Sequence, residues 1–150
     1  MEERFNEQQA RKWRYLSSYK DNKMRLHRLI QQRDEYLFLR GKANNLGTTI
    51  TRGQVSDETG EAATRILDTI DRINFKIDEC CKRLSEIILY IELADITETE
   101  KTILNSRFVK NLTAEEICRE IDEPFRGRGA MRKRIRRIVD KLPEIKKDTQ

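Results

Sequence analysis

Apolar positions in the middle of the chain fall on a strict repeat. Ala63, Ile66, Ile70, Ile73, Ile77, Cys80, Leu84, Ile87, Ile91 and Ala94 follow alternating steps of three and four. A repeat of 3.5 residues keeps one stripe of a helix facing a partner helix, so this is a heptad seam. Between the stripe positions lie Asp68, Asp71, Arg72, Lys76, Asp78, Glu79, Lys82, Arg83 and Glu86, which form the solvated face. Ser56 or Asp57 caps the start of this helix, with Glu58 and Glu61 near its positive end. An earlier segment, about 7–39, carries Trp13, Leu16, Tyr19, Leu26, Leu29, Ile30, Tyr36, Leu37 and Leu39 in a looser helical pattern broken by Lys20 and Lys23. The stretch GKANNLGTTITRGQVSD between them has turn-forming residues and no period, which predicts a loop over about 41–57. Residues 1–95 therefore read as a long antiparallel helical hairpin or a coiled coil. The seam does not say whether the chain's own first helix or a second copy fills it, so a homo-oligomer is the alternative to a self-filled hairpin.

The last third changes scale. Thr97 with Glu100 and Thr113 with Glu116 each have capping-box spacing. Two helix starts this close predict two short helices, about 98–110 with Ile103, Leu104 and Phe108 inward, and about 114–121 with Ile117 and Ile121 inward. Asp122, Glu123 and Pro124 then break the chain. A final helix reaches Leu142 ahead of Pro143, with Met131, Ile135, Ile138 and Leu142 inward. Three short helices in this order are the plan of a helix-turn-helix domain over 96–142, followed by a polar tail at 143–150. The fold class is thus all-α. Gly127 and Gly129 leave two arrangements open for the last helix: one with both Arg126 and Arg128 on it, and one with its start delayed to Ala130 and both arginines on a flexible arm.

Charge sharpens this picture. The net charge is +5, yet residues 125–150 hold ten Lys or Arg against three acids, giving +7 and leaving −2 for residues 1–124. Concentrated positive charge calls for a polyanion, because like charges on one helix repel without a counter-charge. Arg126, Arg128, Arg132, Lys133, Arg134, Arg136 and Arg137 are the candidates for contact with double-stranded DNA. In a helix-turn-helix the early residues of the last helix reach bases and later ones grip phosphate. Arg126, Arg128 and Arg132 are accordingly assigned to base or groove edges, and Lys133, Arg136 and Arg137 to phosphate.

Other chemistries find little support. No run of 18 apolar residues predicts a membrane span, and MEERFNEQQARKWR lacks the apolar core of a secretion signal. Cys80, Cys81 and Cys118 have neither disulfide nor metal spacing and fit packing residues in a reducing, cytoplasmic setting. His27 is the single histidine, and no nucleophile, metal-ligand cluster or phosphate-cradling loop accompanies it. Neither catalysis nor a cofactor or metal is expected, and Trp13 reads as a packing anchor.

The run LTAEEICREI, followed by a basic helix ending IVDKL, resembles region 4 of sigma-70 family factors, the match resting on Thr113, Glu115, Glu116, Ile117, Lys141 and Leu142. Joined to a long N-terminal helical segment, it is similar to the small phage-encoded transcriptional activators of the ArpU and RinA kind. The resemblance covers about 96–142, and implies control of late phage genes, with host RNA polymerase as a partner in the bacterial cytoplasm. Two departures stand out. Asp122 occupies the turn position where such motifs favour glycine, and EPFRGRGA makes a longer connection than a minimal turn. The chain lacks a sigma factor's other promoter-reading regions. Competing readings are a DNA-packaging protein like a small terminase subunit, and an interaction protein that binds polymerase without reading DNA.

Overall fold

The computed structural model describes residues 2–49 and 57–146, with side chains described over 7–42 and 60–146. Among them the chain is all-α: α1 (Glu2–Thr49), α2 (Asp57–Glu92), α3 (Glu98–Leu104), α4 (Ala114–Glu120) and α5 (Arg128–Asp140). A single π turn, Asn105–Val109, prolongs α3. The loop expected over 41–57 is helical through Thr49 and again from Asp57; residues 50–56 lie outside the described set, as does the proposed cap Ser56. The reason is local. A lone glycine such as Gly41 costs a helix only about 1 kcal/mol relative to alanine, whereas proline costs about 3, and the first proline is Pro124.

The chain divides into two compact units. One, Lys23–Lys82, has a small core of Leu29, Ile73, Ile77 and Cys80, with Leu26, Ile30 and Tyr36 packed on it. Ile70 is buried and Ile66 half-buried, so the heptad stripe faces inward here as its period demands. Leu37 and Leu39, expected on the first helix's stripe, are exposed. Three successive residues, 37–39, sweep about 200° around a helix of 3.6 residues per turn and cannot share one face.

The other unit joins Met1–Asn22 to Arg83–Gln150. Its core draws Leu16 and Tyr19 from α1 and Ile87 and Ile91 from α2, with Ala94 just beyond it. These pack with Ile103, Leu104, Phe108, Ile117, Cys118, Met131, Ile135, Ile138, Val139 and Leu142, while Leu84 is half-buried beside them. Trp13 meets Phe108 edge-on, ring centroids 5.1 Å apart. The three short helices share one core with the N-terminal part of α1 and the last turns of α2. A segment of 47 residues is near the size at which a core of its own becomes marginal, and here the hairpin supplies the missing apolar surface.

Polar contacts fasten the same join. The buried Lys12 extends its Nζ to the carbonyl of Asp140, 3.2 Å away, placing a cation on the negative end of α5. Gln8 donates to the Ile145 carbonyl at 3.3 Å and accepts from the Ile145 N–H at 3.2 Å. The Tyr90 hydroxyl donates to the Pro143 carbonyl, so the polar tail is anchored through residue 145. Residues 147–150 lie outside the described set.

A fragment of residues 96–150 is expected to lose cooperative thermal unfolding and most of its helicity by circular dichroism, because Leu16, Tyr19, Ile87 and Ile91 leave with the hairpin. A fragment melting as sharply as the intact chain would refute the shared core.

Candidate nucleic-acid interface

Two reciprocal caps set where the short helices begin. Thr97 accepts from the Glu100 N–H at 3.2 Å, and the Thr97 N–H donates to Glu100 Oε1 at 3.1 Å. Thr113 and Glu116 repeat the arrangement at 3.3 and 3.4 Å. Each cap satisfies backbone donors that the helix leaves orphaned, worth about 1 kcal/mol. The end of α4 is closed as firmly. Asp122 takes a left-handed conformation, φ 55°, while the Glu123 N–H bonds the Cys118 carbonyl at 2.9 Å and the Asp122 N–H bonds Arg119 at 3.3 Å. This is a Schellman closure, whose left-handed residue is usually glycine. Aspartate tolerates that region better than most residues, so the departure at Asp122 leaves the turn intact.

Gly127 sets the start of the last helix between the two expected arrangements. It stands at φ 105°, ψ 158° as the residue before α5, a conformation essentially reserved for glycine. Arg128 is thereby the first residue of α5, and Arg126 lies in the connection ahead of it. Met131, Ile135, Ile138 and Val139 are buried, with Leu142 just past the helix. Val139, outside the expected inward set, is buried next to Ile138, so the core takes both.

Arg132, Lys133, Arg136 and Arg137 are exposed and fall within an arc of about 140° on the side of α5 away from the core, at 3.6 residues per turn. Arg126 and Arg128 are exposed as well. Among the described residues, none of these six forms an ion pair. Arg134 differs from the expectation. It is half-buried, and both of its terminal nitrogens donate to Glu123, Nη2 to Oε1 at 3.2 Å. Its position, about 200° around the helix from Arg132, turns it toward the connection after α4, so it braces the turn. The Arg134 hydrogen bonds, helped by the charges of Arg134 and Arg126 and opposed by desolvation, hold the Glu123 carboxyl below its usual range. Lys141 is engaged likewise, with Glu100 at 2.8 Å, a contact between the end of α5 and the start of α3.

The first turn of α5 contains no acid. Its orphaned N–H groups and the neighbouring Arg126, Arg128 and Arg132 favour an anion in the same place. His27 is exposed, and no cluster of metal-ligating side chains occurs among the described residues. No helix there is long and apolar enough to cross a membrane. Comparison with known proteins gives no matching family model, no matching curated protein and no matching solved structure.

Two glycines separated by one residue should respond in opposite ways. Gly127→Ala is expected to lower stability by about 1–3 kcal/mol through its positive φ, and Gly129→Ala, helical with open space around its Cβ, to raise it by about 0.5–1 kcal/mol. Urea unfolding measures both; equal effects would contradict the helix start at Arg128. Glu123, whose folded-state pKa is lowered, stabilises the fold above the carboxylate range and loses that contribution as pH falls through its lowered value. The melting temperature of Glu123→Gln should therefore lie below that of the parent at neutral pH, with the gap closing well below pH ~4.3. A gap independent of pH would contradict the Glu123–Arg134 pairing.

Proposed function

We propose that the chain is a sequence-reading, double-stranded DNA-binding transcription regulator in which α5 is the recognition helix. The observation that carries this reading is the exposed arc of Arg132, Lys133, Arg136 and Arg137 on a helix whose opposite side is fixed in a core, directly after a closed helix-turn-helix corner. Cations held without carboxylate partners on a rigid helix match the charge and spacing of duplex phosphates. Arg128 and Arg132, nearest the N-terminus of α5, are assigned to groove edges, where a bidentate guanidinium discriminates guanine. Lys133, Arg136 and Arg137 are assigned to phosphate, with Arg126 reaching the backbone from the connection before the helix. Arg134 is reassigned from DNA contact to positioning, through Glu123. The likeness to phage activators of the ArpU and RinA kind extends the reading to late-gene activation together with host RNA polymerase in a bacterial cytoplasm.

Fluorescence anisotropy on duplexes from the chain's own genomic neighbourhood, against scrambled duplexes over a salt series, tests it. The expected result is a native site preferred by at least ~10³, with log K falling by about 0.9 per log unit of salt for each phosphate neutralised. Arg132→Ala is expected to cost ~1–3 kcal/mol and relax preference at one base position, and Lys133→Ala to weaken all duplexes alike while reducing the salt slope by about one. Unchanged binding by a variant carrying both Arg132→Ala and Lys133→Ala, with helicity intact, would defeat the proposal.

A further inference from the structure

Beside the N-terminal half of α5 lies an open groove of about 630 Å³. Trp13, Leu112 and Met131 give it an apolar lining, and Arg107, Arg128 and Arg132 stand around it without any lining carboxylate. Arg107 is half-buried, and its guanidinium rests over the Phe108 ring, 5.6 Å from the centroid, so one cation is held in place before any ligand arrives. Thr113, the one neutral polar side chain of the lining, spends its hydroxyl hydrogen on Glu116 at 2.9 Å. The three arginines make no ion pair among the described residues.

Each half of this lining excludes a class of occupant. A bare phosphate or carboxylate would satisfy the guanidiniums and leave the half-buried Trp13 and Leu112 surface wet. A neutral apolar molecule would cover that surface and gain nothing from three cations. Binding sites of ~300–1,000 Å³ with an apolar lining and a few convergent polar groups hold small molecules, and guanidinium groups bind a carboxylate through two parallel hydrogen bonds.

We infer that this groove binds a small apolar acid, an anionic carboxylate on a hydrocarbon or aromatic body, and that its occupancy withdraws Arg128 and Arg132 from DNA. The second half rests on the proposed function, because both arginines belong to its groove-edge set. The carboxylate takes the place of a phosphate or base edge at those two side chains, while the apolar body lies against Trp13 and Leu112. The site thereby couples the concentration of an amphipathic acid to the availability of the recognition helix. Arg107 contacts the acid alone and sets its affinity.

Trp13 is the only tryptophan in the chain, so its fluorescence reports on the groove directly. The full-length protein, without DNA, is titrated with decanoate below micelle-forming concentrations, with decanol, and with acetate and inorganic phosphate. The expected result is a saturable change with decanoate, at least tenfold weaker binding of decanol, and no response to acetate or phosphate. Arg107→Ala is expected to weaken decanoate at least tenfold. Ala114→Leu, which adds bulk to the lining, should abolish the response, both variants keeping the parent circular dichroism. Decanol binding as tightly as decanoate, or no saturable response of Trp13, would overturn the site. With a duplex present, saturating decanoate is expected to weaken DNA affinity at least threefold in the parent and not in Arg107→Ala at the same concentration. Undiminished duplex affinity at saturation would overturn the coupling. Absence of any duplex binding beside an intact decanoate titration would overturn the DNA reading and leave the ligand site standing.

Discussion

Everything at the C-terminal end depends on how α5 is held. Its sequence packs cations at a density that disfavours an isolated helix, since neighbours three and four apart repel, and its first turn places Arg128 at the unfavourable end of the helix dipole. The burial of Met131, Ile135, Ile138 and Val139 provides the compensation. That burial is possible only because Leu16, Tyr19, Ile87 and Ile91 complete the core from the hairpin side. Lys12 on the Asp140 carbonyl adds a charge at the other end of the same helix, where the dipole welcomes it. The long helices are thus part of the platform of the basic helix, and the cations can remain unpaired because their repulsion is met by packing elsewhere.

Local rules account for the features that were legible in the sequence. Both capping boxes have their partners three residues apart, so a four-residue window contains the whole interaction. The seam from Ile66 to Ile91 is legible because its period is uninterrupted, and every seam residue is buried or half-buried. The inward faces of the short helices follow from the same periodicity. All of these are properties of one helix considered alone.

Features that bring distant segments together were not legible. The shared core joins Leu16 to residues more than a hundred positions away, and no periodicity encodes that pairing. Arg134 looks like its neighbours in the basic run, and only the turn that brings Glu123 alongside separates it from them. Gly127 and Gly129 offer equal conformational freedom in the sequence, and only Gly127 takes the positive φ. The groove around Trp13 belongs to the same class, since its lining comes from α1, the π turn, α4 and α5 together. The charge run lies within one segment and is legible there, whereas the pairing that sets Arg134 apart from its neighbours crosses to another segment and is not.

Amide and arginine side-chain NMR of the intact chain, recorded with and without a duplex selected by the protein itself from a random pool, would test the role of α5 most directly. The expected result is that signals of Arg128, Arg132, Lys133, Arg136 and Arg137 shift on binding, while Arg134 keeps its Glu123-bonded signature and residues 23–82 stay unchanged. Shifts confined to residues 23–82, with α5 silent, would contradict the assignment of the recognition surface.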